Sequence, residues 1–407
     1  APADPRFPAP SPFLWNWFQD DAHSGLAAAR AEAEAASGRV TIAHLDCGYR
    51  EGHALLPPGL DPAAARSFIE DDANPNSAID PYIGGFGNHP GHGTGTIGIL
   101  AGGHFDGAPY GQPAGPVGGA PFARVIPLRV ANSVVLFSNS SIARGLAYAI
   151  EQGVDVLSMS MGGVASRLWA ELVNQAYEAG IVLVTAAGNN YGPGKLRTPR
   201  FIVYPARFQR VLAACGVMAD GTPYADFADA RKMGGSYGPD SKMDTALAAY
   251  TPNTPWAKYA CLGLPDFDGA GTSSATPQIA AAAACWLRKN LNAVRRYPEK
   301  WMRVEAVRHA LFTSADNRNR EYFGRGTLRA GHAMAVPVPA ASALRKQPAD
   351  SVAVPFLGPV WSVLFGAKAS AAEVSMLHLE AAQILGRNGE LQRIVSEAAI
   401  DSDKPTD

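Results

Sequence analysis

Three side chains suited to nucleophile, base and acid chemistry stand far apart in the chain, each among small residues: Ser273, His92 and Asp46. Ser273 lies in Gly269-Ala-Gly-Thr-Ser-Ser-Ala-Thr-Pro277, just ahead of the apolar run 279–287. That run reads as a buried helix, with Pro277 suited to its first turn. The serine hydroxyl is then placed at a helix N-terminus, where free N–H groups and the helix dipole favour negative charge. Acyl transfer needs such surroundings for its nucleophile. The same local sequence also serves as an ordinary N-cap, so the rest of the chain has to decide. His92 falls in Asn88-His-Pro-Gly-His92-Gly-Thr-Gly-Thr96, at the start of a helix of small residues over 94–100. His89 competes as a base, but Pro90 follows it and no such helix starts there. Asp46 ends the apolar stretch 40–46, which reads as a strand, and Cys47-Gly48 then turns the chain. In open α/β sheets that end of a strand is where sites form.

The elements that must hold these groups follow from the apolar pattern. Strands are expected over 40–46, 123–130, 154–159, 181–186 and 211–217, and helices over 23–36, 138–152, 166–179, from Ser273 onward, and over 301–313. A long Gly/Pro loop is expected over 102–121. Short apolar strands alternating with helices predict a parallel sheet covered on both faces. From about Pro337 the composition shifts, with prolines at 337, 339, 348 and 355. Helical spacing returns over 367–399, broken at Gly386-Arg-Asn-Gly389, as in a helical hairpin.

The bulk properties narrow the function classes. The 407 residues are 47% hydrophobic and only 17% charged, enough for a large packed core. A formal net charge of -1 gives no reason to expect nucleic acid as a partner. No apolar run has the length of a membrane span. The four cysteines form no CxxC pair, so the sequence supports no zinc or other metal site, and disulfides stay open.

Six segments together resemble the subtilisin-like serine proteases (subtilases, peptidase family S8). Thr41-Ile-Ala-His-Leu-Asp46-Cys-Gly48 is similar to the family's strand ending in Asp-Ser/Thr-Gly, and Gly91-His92-Gly-Thr94 to its His-Gly-Thr motif. Gly119-Ala-Pro121 resembles its Gly-Val-Ala-Pro segment, and Val156-Leu-Ser-Met-Ser160-Met-Gly-Gly163 its substrate-binding strand. Ala186-Ala-Gly-Asn189 resembles the segment carrying the oxyanion asparagine, and Gly271-Thr-Ser273-Ser-Ala-Thr-Pro277 the nucleophile motif. The order Asp, His, Ser along the chain is that of subtilisin. The resemblance implies a three-layer α/β fold with a mostly parallel central sheet flanked by helices, plus a C-terminal helical extension. It covers residues 39–336, between an N-terminal arm and helix (1–38) and a proline-containing linker with the extension (337–407).

The chemistry that the resemblance implies is peptide hydrolysis. Ser273 would attack the carbonyl, and His92 would take its proton and pass it to the leaving amine. Asp46 would fix the imidazole tautomer, and Asn189 with the Ser273 N–H would hold the oxyanion. Ser160, Met161 and Gly162 would pair with an extended substrate as an added strand. With Ala186, Ala187 and Gly188 they would wall the pocket for the P1 side chain, leaving room for a sizeable apolar group. No cofactor is required for this chemistry. Glu70-Asp-Asp-Ala-Asn-Pro-Asn76 offers oxygen ligands of the kind calcium-binding relatives use, but reads first as a solvated acidic loop. The chain departs from the family pattern at Cys47, in place of Ser or Thr, and at Gly95, in place of a second histidine. The resemblance leans to a secreted or periplasmic setting. A second reading is a catalytically silent subtilase fold that binds peptides or a partner through its groove and the 337–407 tail, and a third is an esterase. The tail itself is expected to dock on the body, inhibit the site or recruit a partner.

Overall fold

In the strand that ends at Asp46, Ile42 points into one hydrophobic core while Ala43 and Leu45 point into another. Burial on both faces marks a central strand of a covered parallel sheet. The computed structural model describes residues 16–351, apart from 71, 85–87, 109–113, 137–139, 164–165, 192–200 and 228–231. Its main sheet contains β1 (Thr41–Asp46), β2 (Arg66–Ser67), β3 (Arg124–Arg129), β4 (Val156–Met159), β5 (Val182–Ala186), β6 (Leu212–Val217) and β7 (Ala246–Tyr250). The strand order is β7-β6-β5-β4-β1-β3-β2 and every pairing is parallel. After β3 the chain crosses β1 and continues on its other side, so β1 lies at the turning point of the topology.

Helices cover both faces. α1 (Leu26–Glu34), α2 (His92–Ala101), α5 (Thr272–Val294) and α6 (Trp301–Ser314) contribute to one core. α3 (Ser140–Glu151) and α4 (Arg167–Glu178) contribute to the other. This is the expected three-layer fold. α5 is buried on all sides from Thr272 to Leu287, as its alanine-rich composition requires. Ser166 caps α4 by accepting the Trp169 N–H at 3.2 Å.

Two local expectations are corrected. α5 begins at Thr272, one residue ahead of the expected start, and Pro277 lies inside the helix beyond its first turn. Its missing N–H is the one that would bond the Ser273 carbonyl. The Ser160 hydroxyl donates to that carbonyl instead, at 3.0 Å. The 102–121 stretch is not all loop, because His104–Phe105 pairs antiparallel with Gly115–Pro116.

Residues 337–351 lie against the body. The Asp350 carboxylate accepts the backbone N–H groups of Gln209 at 2.7 Å and Arg210 at 3.0 Å, and Asn174 exchanges two hydrogen bonds with the Asp350 backbone. The helical hairpin expected over 367–399 and the first residues of the N-terminal arm fall outside the described residues.

The start of β1 is tied down by charge. Asp155 accepts the Thr41 N–H at 2.9 Å and pairs with Arg303 of α6 at 2.9 Å, both side chains being largely buried. Removing one partner of such a pair strands the other. Asp155→Ala should therefore lower the unfolding free energy by roughly 3 kcal/mol in a denaturant titration.

Candidate active site

Asp46, His92 and Ser273 each stand at the end of an element, for a physical reason. Asp46 is the last residue of β1 and is fully buried. His92 is the first residue of α2, whose cap Gly91 donates its N–H to Asp80 Oδ2 at 2.6 Å. Ser273 is the second residue of α5, and α5 packs directly on α2.

Asp46 Oδ1 lies 2.7 Å from His92 Nδ1. An ionised carboxylate only accepts, so Nδ1 carries the proton and Nε2 keeps its lone pair. Oδ1 also takes the Cys47 N–H at 2.7 Å, and Oδ2 takes the Thr96 hydroxyl at 3.1 Å. Burial works against the Asp46 charge. The His92 charge and hydrogen bond, the nearby His44 and the Cys47 N–H outweigh it, and the pKa stays below the ordinary carboxylate value.

The Ser273 hydroxyl donates to the Ser160 carbonyl at 3.3 Å, and no hydrogen bond joins it to His92 among the described residues. Hydrogen bonds between a nucleophile and its base often tighten only with substrate bound. Asn189 is fixed from one side. Its Oδ1 accepts the Thr272 N–H at 2.8 Å and the Thr272 hydroxyl at 3.2 Å, which turns the Nδ2 donors the other way. Gly271 has φ 73° and leaves no space for a Cβ, which would come within 2.9 Å of Asn189 Nδ2.

The model of the subtilase family matches residues 37–328. The chain belongs to the subtilase family. Subtilisin DY of Bacillus licheniformis is 31% identical over 240 residues, covering 58% of this chain and 75% of its own. Subtilisin E of Bacillus subtilis is 27% identical over 290 residues, covering 71% of this chain and 64% of its own. The solved structure of the prenylagaramide maturation protease PagA aligns with a TM-score of 0.55 at 20% identity, covering 76% of this chain and 98% of that one, a likeness of fold. Membership places this subtilase among the serine endopeptidases, whose substrates are polypeptides.

The segments expected to bind substrate adjoin the Ser273 turn. Ser160 exchanges hydrogen bonds with Ser273 in both directions. The Met161 side chain is buried in the core under α3 and α4, so only its backbone is available. Gly162 gives its N–H to the Val134 carbonyl at 3.2 Å, and Gly163 pairs with Tyr204, so part of this edge is already occupied. Ala186 and Ala187 are buried, and Gly188 is held on both backbone groups by the Thr272 hydroxyl. Val203 stands between the two glycine walls, where a Cβ on Gly162 would strike its Cγ2 and one on Gly188 would lie 3.1 Å from both methyls.

Other residues of the site have no role in the sequence reading. A Cβ on Gly95 would run into the Trp256 indole, which meets the His92 ring edge-on at 5.5 Å between centroids. The glycine that replaces the family's second histidine thus admits a tryptophan. Nothing local to Trp256 signals this contact, whereas His44 and Thr96 could have been found from periodicity. His44 precedes Asp46 by two on the same strand face, and Thr96 follows His92 by four on one helix face. His44 Nε2 lies 2.8 Å from Thr96 Oγ1.

Asp72 turns its carboxylate to the buried Arg129 guanidinium and to Ser67. Among the described residues no group of three or more His, Cys, Asp or Glu could hold a metal ion. None of the four cysteines is disulfide-bonded, and burial pushes the Cys47 thiol well above its usual pKa, so it is unreactive beside Asp46.

Burial also pushes His44 down to about 4, against the pull of Asp46. In the unfolded chain a histidine titrates near ~6.5. Between these values the unfolded chain binds a proton that the folded one refuses. Stability is therefore present above this window and falls as pH falls through it, by up to about 1.4 kcal/mol per pH unit. Unfolding free energies measured across the window should lose part of this slope in His44→Val.

Proposed function

We propose that this subtilase hydrolyses polypeptides through an acyl-enzyme, with Ser273 as nucleophile, His92 as general base and then acid, and Asp46 as the orienting carboxylate. The observation that carries the reading is the buried 2.7 Å hydrogen bond from His92 Nδ1 to Asp46, which leaves Nε2 as the basic nitrogen. Ser273 Oγ attacks the carbonyl carbon and its proton passes to Nε2. Asn189 Nδ2 and the Ser273 N–H stabilise the oxyanion. Collapse expels the amine, which takes the proton from His92. Water, deprotonated by the same nitrogen, then releases the acid and restores Ser273. No cofactor enters these steps. An extended substrate lies along Ser160-Met161-Gly162, and Val203 restricts the P1 side chain to a small one.

A fluorophosphonate probe should modify Ser273 in the wild type and fail to do so in His92→Ala. A folded wild type that resists the probe would instead favour the silent, partner-binding reading. Asn189→Ala should lower kcat by about 10²–10³ with little change in KM, the magnitude known for subtilisin's own oxyanion asparagine. Val203→Gly should raise kcat/KM for peptides with large apolar P1 groups by about tenfold or more relative to P1 alanine, a methylene-scale change in pocket fit. An unchanged P1 profile would remove Val203 from specificity.

A further inference from the structure

We propose that His44 is a positioning residue of this active site, acting on Asp46 through the hydroxyl of Thr96. The proposal rests on the reading of Asp46 as the carboxylate that orients His92.

Asp46, Thr96 and His44 are all buried. Asp46 Oδ1 is served by His92 Nδ1 and the Cys47 N–H. Oδ2 is served by Thr96 Oγ1, at 3.1 Å. The Thr96 hydroxyl has one proton, and its contacts with the His92 and Gly93 carbonyls, both at 3.3 Å, are with acceptors only. His44 Nε2, at 2.8 Å, is the group that can serve the hydroxyl as a donor. With the proton on Nε2, His44 donates to Thr96 and the hydroxyl is free to donate to Asp46. In the other tautomer Nε2 would claim the hydroxyl proton and leave Oδ2 without a donor, a costly state for a buried charged group. The donor chain therefore runs His44, Thr96, Asp46, and fixes the outer carboxylate oxygen while the inner one holds His92.

The surroundings keep His44 a neutral donor. The titratable groups that act on it are Asp46, from its own strand, and His92, from α2. On β4 its register partner is Ser158, whose buried hydroxyl has no hydrogen-bond partner among the described residues, and on β3 it is Pro127. Neither brings a charge. A carboxylate held at both oxygens cannot swing about its Cβ–Cγ bond, so the His92 ring plane is set from behind.

The test compares kcat per active site, counted by fluorophosphonate labelling of Ser273, in wild type, Thr96→Val, Thr96→Ser and His44→Val. The expected result is a fall of about tenfold in kcat per labelled site in Thr96→Val and His44→Val. KM should hold, the acid limb of the kcat profile should be displaced, and Thr96→Ser should recover most of the loss. A merely structural role would lower the number of labelled sites and leave kcat per site and the acid limb unchanged, which would overturn the proposal. Should the valine variants fail to fold, ¹⁵N NMR of the wild-type histidines decides: an Nε2–H tautomer of His44 supports the chain and an Nδ1–H tautomer overturns it. A wild type that neither labels nor hydrolyses peptide defeats the proposed function, whereas normal wild-type activity with unaltered variants defeats only this inference.

Discussion

The constraint on which the rest depends is a negative charge in a place without water. Asp46 ends the central strand of a covered sheet with no exposed surface, so every lone pair that it turns inward must meet a donor. Four groups converge on it: a backbone N–H from the turn, the His92 ring, the Thr96 hydroxyl and, more remotely, His44. Two of them come from the first turns of α2, which must therefore approach the sheet very closely. A helix so rich in glycine has weak intrinsic preference for its own shape. It is held by what it packs against, β1 below it, α5 beside it and the Trp256 hairpin above it.

The second half of the site is organised by backbone and not by charge. α5 opens at Thr272, whose N–H and hydroxyl face Asn189 and Gly188. The residue before the candidate nucleophile thus sets the direction of the candidate oxyanion amide. The two halves meet where the heads of α2 and α5 adjoin, at the C-terminal ends of the central strands, the location that a parallel sheet with a reversal of strand order provides.

Five of the seven strands, the flanking helices and the segments bearing Asp46, His92, Asn189 and Ser273 were legible because each is local: apolar runs of strand length, capped periodic helices, glycine turns; β2, only two residues long, and β7 were not expected. What escaped was non-local or a matter of exact helix phase. Pro277 looked like a first-turn residue because proline favours that position, yet Thr272 already begins the helix and Ser160 replaces the lost donor. Small residues at 162 and 188 suggested an open pocket, but a valine from a separate segment fills the gap between them. Trp256 is invisible from its neighbours in sequence, since only the fold brings it over Gly95. Residues 337–351, rich in proline, read as a linker, while their packing rests on single groups such as Asp350 that carry no pattern.

The reciprocal pair between Ser160 and Ser273 has a mechanical consequence. Two hydrogen bonds, hydroxyl to carbonyl in each direction at 3.0 and 3.3 Å, join Ser273 to the residue that follows β4. The bond that the Ser160 hydroxyl gives to the Ser273 carbonyl does not involve the Ser273 side chain, so the head of α5 stays tied to this strand even when the Ser273 hydroxyl turns to another acceptor. Proline at 277 makes this possible by withholding a donor from the Ser273 carbonyl, so a residue that ordinarily weakens a helix here leaves free the carbonyl that ties the head of α5 to the sheet.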